Sequence, residues 1–132
     1  MYINSIPLFA LAERGTGGGE YVIHSNNKIM NQINFNKGNG LVPAVIQDNT
    51  TLQVLMVGYM NDEALDKTIR EGRVTFFSRS RHRLWTKGET SGNYLTVKKI
   101  TADCDNDSLL ILVDPAGPVC HTGSISCFRD EQ

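Results

Sequence analysis

This sequence has no excess of charge of either sign: 13 basic side chains face 14 acidic ones over 132 residues, a formal net charge of −1. No global field draws such a chain to nucleic acid or to a membrane surface, so any charge-based recognition is local. Cysteine is scarce and odd in number, three in all, which argues against a disulfide framework. With no secretory signal at the N-terminus, it points instead to free thiols in a reducing compartment, and the expected location is the cytoplasm. There is no Cys-x-x-Cys knuckle, no Walker-type Gly-Lys-Ser spacing, no internal repeat and no low-complexity tract. The apolar runs fall far short of the roughly 20 residues of a membrane span. The length admits one ordinary core and is too short for two comfortable domains.

What is present is concentrated. All three cysteines, Cys104, Cys120 and Cys127, lie between Asp103 and Cys127, together with Asp103, Asp105 and Asp107 at alternate positions and His121. Soft thiolates and hard carboxylates rarely serve one ion, so this composition reads as two neighbouring metal sites, one for zinc and one for magnesium or a similar hard cation.

The chain ahead of these residues reads as an α+β domain. Residues 1 to about 36 differ in character from the rest: an apolar piece, a glycine link at 15–19 and a short strand at Tyr21–His24, with His24 an ordinary surface or packing histidine. Leu41–Gln47 and Leu52–Val57, separated by Asp48-Asn49-Thr50-Thr51, have the form of a hairpin, and Pro43 predicts an exposed edge for its first strand. Asn61 is a good helix N-cap, Asp62 and Glu63 suit the positive end of the dipole, and Gly72 is a stop. Ala64, Leu65, Thr68 and Ile69 form one face between them. Strands are expected at Arg73–Ser78 and Tyr94–Ile100, with a central buried one at Leu109–Val113. The sum is about six or seven mostly antiparallel strands around one main helix.

The one basic cluster is Ser78–Arg83, followed by Leu84–Gly92. Arginine forks, a lysine, hydroxyls and glycine amides are the donors that a phosphate needs, and Trp85 offers a flat face for a base. A solvated turn between strands competes with that reading, and His82 there reads as a surface residue. Fifteen residues separate Cys104 from Cys120 and six separate Cys120 from Cys127. Three thiolates suit a catalytic zinc with an open position, against the alternative of three inert buried thiols. His121 is either a fourth ligand, which would close the site, or a catalytic group beside the metal, the role favoured here. An EF-hand is excluded for the acidic run, because Ser108 stands at the required glycine and no glutamate closes the loop. Alternating carboxylates on a strand end would share one side, as a hard cation needs, and a solvated acidic turn is the competing reading.

Several of these stretches carry a resemblance. Arg73–Ser80, the block Leu84–Asn93, the motif Asp103–Asp107 and the ending Gly117–Gly123 with Ser126-Cys127-Phe128 resemble phosphoribosyl-AMP cyclohydrolase of histidine biosynthesis, in register from about residue 34 to 128. Residues 1–33 are unlike the family and stand as an N-terminal extension of unknown role before a domain at 34–132. In some members a phosphoribosyl-ATP pyrophosphohydrolase domain follows; this chain ends five residues after Cys127, so that second activity is not expected in it. The resemblance implies zinc on Cys104, Cys120 and Cys127, magnesium on Asp103, Asp105 and Asp107, and a homodimer whose active sites form between the chains. It implies opening of the N1–C6 bond of the purine ring by water. The substrate phosphates would take the region of Arg79, Arg83, Lys87, Thr90 and Ser91, with Trp85 against the base and His121 as the base that moves the proton. Three thiolates over-neutralise zinc and leave its water less acidic than on a three-histidine site, which makes a nearby proton acceptor valuable. A nucleobase deaminase would need His-x-Glu and Cys-x-x-Cys pieces, which are absent. A non-enzymatic zinc-stabilised module would need four protein ligands.

Overall fold

The structure, a computed structural model, describes residues 28–130. The strand expected at Tyr21–His24, the glycine link and His24 lie outside the described residues. The expected hairpin forms from β1 (Val42–Asp48) and β2 (Val54–Met60), which pair antiparallel. Asp48 closes its turn by accepting from the Thr50 and Thr51 amides at 2.7 and 3.1 Å. Helix α1 (Asp62–Glu71) starts on Asn61, whose side chain accepts from the Ala64 amide at 2.8 Å, and stops at Gly72 in the left-handed region. Ala64, Leu65, Thr68 and Ile69 are its buried face, as the helical period required.

Four more strands follow: β3 (Thr75–Ser78), β4 (Arg83–Thr86), β5 (Leu95–Ala102) and β6 (Leu109–Pro115). They form a four-stranded sheet in the order β2-β1-β6-β5 and a two-stranded ribbon of β3 and β4. Every pairing is antiparallel except β1 with β6. The described residues therefore hold six strands and one main helix in an α+β arrangement with mixed pairing.

Two expectations need correction. β1 is an interior strand rather than an edge, with β2 on one side and β6 on the other. Pro43 is tolerated because it pairs only with Tyr59 of β2, while the β6 pairing begins one residue later, at Ala44 with Leu109. The basic segment divides: residues 79–82 are an exposed turn between strands, as the competing reading had it, while Arg83 to Thr86 form β4 and pair with β3. The acidic residues sit in a turn between β5 and β6, not on a strand end.

The core is apolar, with Ile46, Leu55, Met60, Leu65, Leu95, Leu109 and Ile111 fully buried. Thr68 ties α1 to β3 within it. Its hydroxyl donates to the Ala64 carbonyl at 2.8 Å and accepts from the Thr75 amide at 2.9 Å. A side chain at Gly58 would collide with the Phe76 ring, so β2 and β3 approach closely because that position has none. Ile29 and Ile33, ahead of the expected domain start, are buried in the same cluster. On the other face of the sheet, Val57, Val45 and Leu110 stand side by side across three strands, and Val57 and Leu110 are exposed. No helix among the described residues is long and apolar enough to cross a membrane.

Candidate active site

A cavity of about 430 Å³ is lined by Trp85, Lys87, Thr90, Ser91, Asn93, Cys120 and His121, with glycine and proline backbone between them. Two chain segments make it. Trp85 is on β4, and Lys87 to Asn93 form the loop from β4 to β5. Cys120 and His121 belong to a loop after β6, which buried Val119 anchors. That loop is closed by the Cys120 amide on the Ser124 carbonyl at 3.0 Å and the Gly123 amide on the Cys120 carbonyl at 2.9 Å.

Asn93 locks the two walls together. Its Nδ2 donates to the Pro118 carbonyl at 3.4 Å. A Cβ at Gly117 would stand 2.6 Å from Asn93 Oδ1, and one at Gly88 would stand 2.5 Å from the Asn93 carbonyl carbon. Asn93 was not among the expected site residues. Only its adjacency to the Lys87–Gly92 donors marks it in the sequence, because a side chain that spans two loops has no periodic signal.

The tail after this loop is stitched to β2. The Ser126 hydroxyl donates to the Val54 carbonyl at 2.7 Å, and the Cys127 amide donates to the Leu55 carbonyl at 2.8 Å. The Cys120 and Cys127 thiols are thereby close enough to act on each other's ionisation. Their ionisation is split: the Thr122 hydroxyl, donating to Cys120 Sγ at 3.1 Å, together with the Thr122 amide holds the Cys120 thiol below its ordinary range. Burial, reinforced by Cys120, pushes the Cys127 thiol up. His121 is exposed and its Nδ1 lies 4.0 Å from Cys120 Sγ.

Cys104 is elsewhere. It sits in the 103–108 turn at the opposite end of β6, where its thiol donates to Asp105 Oδ1 at 3.0 Å and is pushed up by that bond and by the Asp105 charge. Three or four strand residues along the sheet and two strands across it separate the turn from Leu55, roughly 15 Å at ordinary strand spacings. The three carboxylates have separate tasks. Asp103 Oδ1 accepts from the Asp107 and Ser108 amides at 3.0 and 3.2 Å. Burial alone would raise this carboxyl, but these bonds outweigh it and hold the group below its ordinary value. Asp107 Oδ2 faces Lys37 Nζ at 3.7 Å. Among the described residues, no three His, Cys, Asp or Glu side chains of one chain are grouped to hold a metal.

Arg79 and Arg83 do not line the main cavity. Arg79 lies over the Tyr59 ring at 4.0 Å, and Arg83 faces Glu89 at 3.8 Å. Arg83 shares a second cavity of about 290 Å³ with Ser78, Arg81 and Trp85, so Trp85 is common to both. Its ring packs against Phe76 at 5.7 Å, and Lys87 Nζ stands 5.4 Å from its centroid.

The phosphoribosyl-AMP cyclohydrolase family model matches residues 56–129. The histidine biosynthesis bifunctional protein HisIE of Bacteroides thetaiotaomicron is 64% identical over 100 residues, 76% of this chain and 49% of that protein. The same-named protein of Haemophilus influenzae is 62% identical over 98 residues, 74% of this chain and 44% of its own length. That of Staphylococcus aureus is 65% identical over 100 residues, 76% and 47%. The chain thus spans about half the length of the curated relatives it matches. Because the family model covers more than half of the 132 residues, and because the cavity is walled by the Leu84–Asn93 and Gly117–Gly123 blocks that carry the resemblance, the chain belongs to the phosphoribosyl-AMP cyclohydrolase family of enzymes.

Proposed function

We propose that this chain opens the purine ring of phosphoribosyl-AMP by hydrolysis of the N1–C6 bond, giving the formimino aminoimidazole carboxamide ribonucleotide of histidine biosynthesis, in the cytoplasm. The observation that carries this reading is the shared cavity: phosphate donors, a flat aromatic face, a thiol and a histidine converge on one space. Lys87, Thr90 and Ser91 bind one phosphate, through an ammonium and two hydroxyls. Arg83, in the adjoining cavity across Trp85, is placed for the second. Arg79, paired with Tyr59, is outside both cavities. Trp85 orients the base between them.

The donor chemistry fits zinc in two parts. Cys120 and Cys127 form two of the three members of a thiolate set, and Cys104 is the missing third ligand, supplied by a second copy. The apolar row of Val57, Val45 and Leu110 on the open sheet face is a surface against which such a copy can seat. Zinc held there would supply Lewis-acid activation of a water at neutral pH. His121 has Nδ1 toward Cys120, leaving Nε2 as the nitrogen that takes the proton from the attacking water and returns it to the ring nitrogen as the bond to C6 breaks. Magnesium on Asp103, Asp105 and Asp107 fits this single-chain arrangement poorly, since each carboxylate is already engaged and the three would have to regroup. No step here depends on it.

The test is a spectroscopic assay of ring opening on phosphoribosyl-AMP, with and without a chelator. Turnover that the chelator abolishes and zinc restores is expected. A metal-free preparation with full turnover would remove zinc from the reading, and no ring opening under any condition would remove the activity.

A further inference from the structure

The segment just ahead of β1 grips the turn that carries Cys104. Gln32 Nε2 donates to Asn106 Oδ1 at 2.8 Å, across 74 residues of chain. The Asn34 amide donates to the Asn106 carbonyl at 2.7 Å. Lys37 Nζ donates to the Asp105 carbonyl at 3.1 Å and pairs with Asp107 at 3.7 Å. These bonds start from a fixed base, because Ile29 and Ile33 on either side of Gln32 are buried in the core. Gln32 Oε1 is itself buried, with no partner among the described residues, so its amide is committed to this contact at a cost.

Asn106 has φ 61, a left-handed conformation that glycine adopts more freely. What asparagine adds there is the side-chain oxygen that Gln32 holds. On the other flank, the Asp103 amide donates to the Ser108 carbonyl at 3.0 Å and the Asn106 amide to the Asp103 carbonyl at 3.1 Å. Cys104 is therefore bracketed by a turn fixed from within at Asp103 and from outside at Asp105 and Asn106.

We propose that Gln32, Asn34 and Lys37 are positioning residues, which hold the 103–108 turn in the shape that presents Cys104 to the Cys120 and Cys127 pair of a second copy. The proposal rests on the shared-zinc reading above and goes beyond it, since all three residues lie ahead of the segment that the family model matches.

The test uses the full chain with zinc, and the variants Gln32→Leu and Asn106→Gly, the second of which keeps the left-handed backbone and removes only the side-chain bond. Zinc affinity is read by competition with a chromophoric chelator, and turn order by amide exchange at Asp107 and Ser108. Each variant should bind zinc about tenfold more weakly, the lower end for residues behind a metal ligand. Exchange at those two amides should quicken while β1 and β6 stay protected. The double variant should be no worse than either single one, because both remove the same bond. Unchanged zinc affinity in both variants, exchange that rises equally throughout the molecule, or additive losses in the double variant would each overturn the proposal. Cys104→Ser separates the two layers: if it keeps zinc at full affinity, the shared site itself falls and the proposal with it. If Cys104→Ser loses zinc while the other two variants do not, only the positioning role fails.

Discussion

His121 follows Cys120, a proposed zinc ligand, directly in the chain and lies beside it in space, with Nδ1 4.0 Å from Cys120 Sγ. Two ligands of one tetrahedral zinc would stand about 3.5 Å apart, so this distance suits either a fourth ligand or a proton acceptor beside the metal, and the two roles separate by experiment. His121→Ala should lower turnover by about 10² to 10⁴, the scale of a general base, and leave zinc content near that of the parent when metal and rate are measured on one sample. Equal losses of both would make it a ligand. At this scale the sequence was informative about chemistry and weak about pairing. Thiols, carboxylates and phosphate donors are legible as residue types, and Trp85, Lys87, Thr90, Ser91 and His121 do share one cavity. That Arg79 would settle on Tyr59, or that Asp103 would spend a carboxylate oxygen on two amides of its own turn, depends on contacts that no spacing encodes.

Among the elements, those with a strong local period were readable and those held by distant partners were not. Helix α1 has its cap, face and stop in eleven consecutive positions, Asn61 to Glu71, and the glycine after them. Strand β4 has four residues, begins in a basic run and is a strand because Leu84 and Trp85 meet Phe77 and Phe76 of β3 across the ribbon; its own sequence scarcely alternates. The parallel pairing of β1 with β6 joins segments more than 60 residues apart, which local pattern cannot reveal.

Two predictions belong at this level. Thr68→Val keeps the shape but strands the buried Thr75 amide, so denaturant unfolding should show a loss of about 1–3 kcal/mol; a change near zero would mean that this link between α1 and β3 contributes little. Asp103→Asn keeps an acceptor for the Asp107 and Ser108 amides but removes its charge. The folded carboxyl lies below its ordinary 3.8, so its contribution is present above that value and is lost as pH falls through the lower folded one. Thermal unfolding should therefore show the parent more stable than the variant at neutral pH, with the gap closing in acid; a gap that widens in acid would reverse the assignment.

For the whole molecule, the open question is whether one chain can hold zinc alone. The tail after Pro118 does fold back, but to β2, where the Cys127 amide meets the Leu55 carbonyl. It does not return to the 103–108 turn. A chain that folds this way keeps Cys104 apart from Cys120 and Cys127, and the apolar row of Val57, Val45 and Leu110 is the face on which the proposed second copy would seat. If the site is shared as proposed, Cys104→Ser and Cys127→Ser should each be inactive alone, because every site in either homodimer would lack a ligand. Denatured together and refolded, the two proteins form a heterodimer in which one site carries both defects and the other draws Cys104 from one chain and the Cys120 and Cys127 pair from its partner. Random pairing makes half of the dimers heterodimers with one intact site of two, so about a quarter of the parent's activity per site should return, with zinc bound in proportion. If each site were built within a single chain, every site in the mixture would lack a ligand. A refolded sample shown to contain heterodimer and still inactive would therefore rule out sharing, and would require the 103–108 turn or the Cys120 loop to cross the sheet on metal binding.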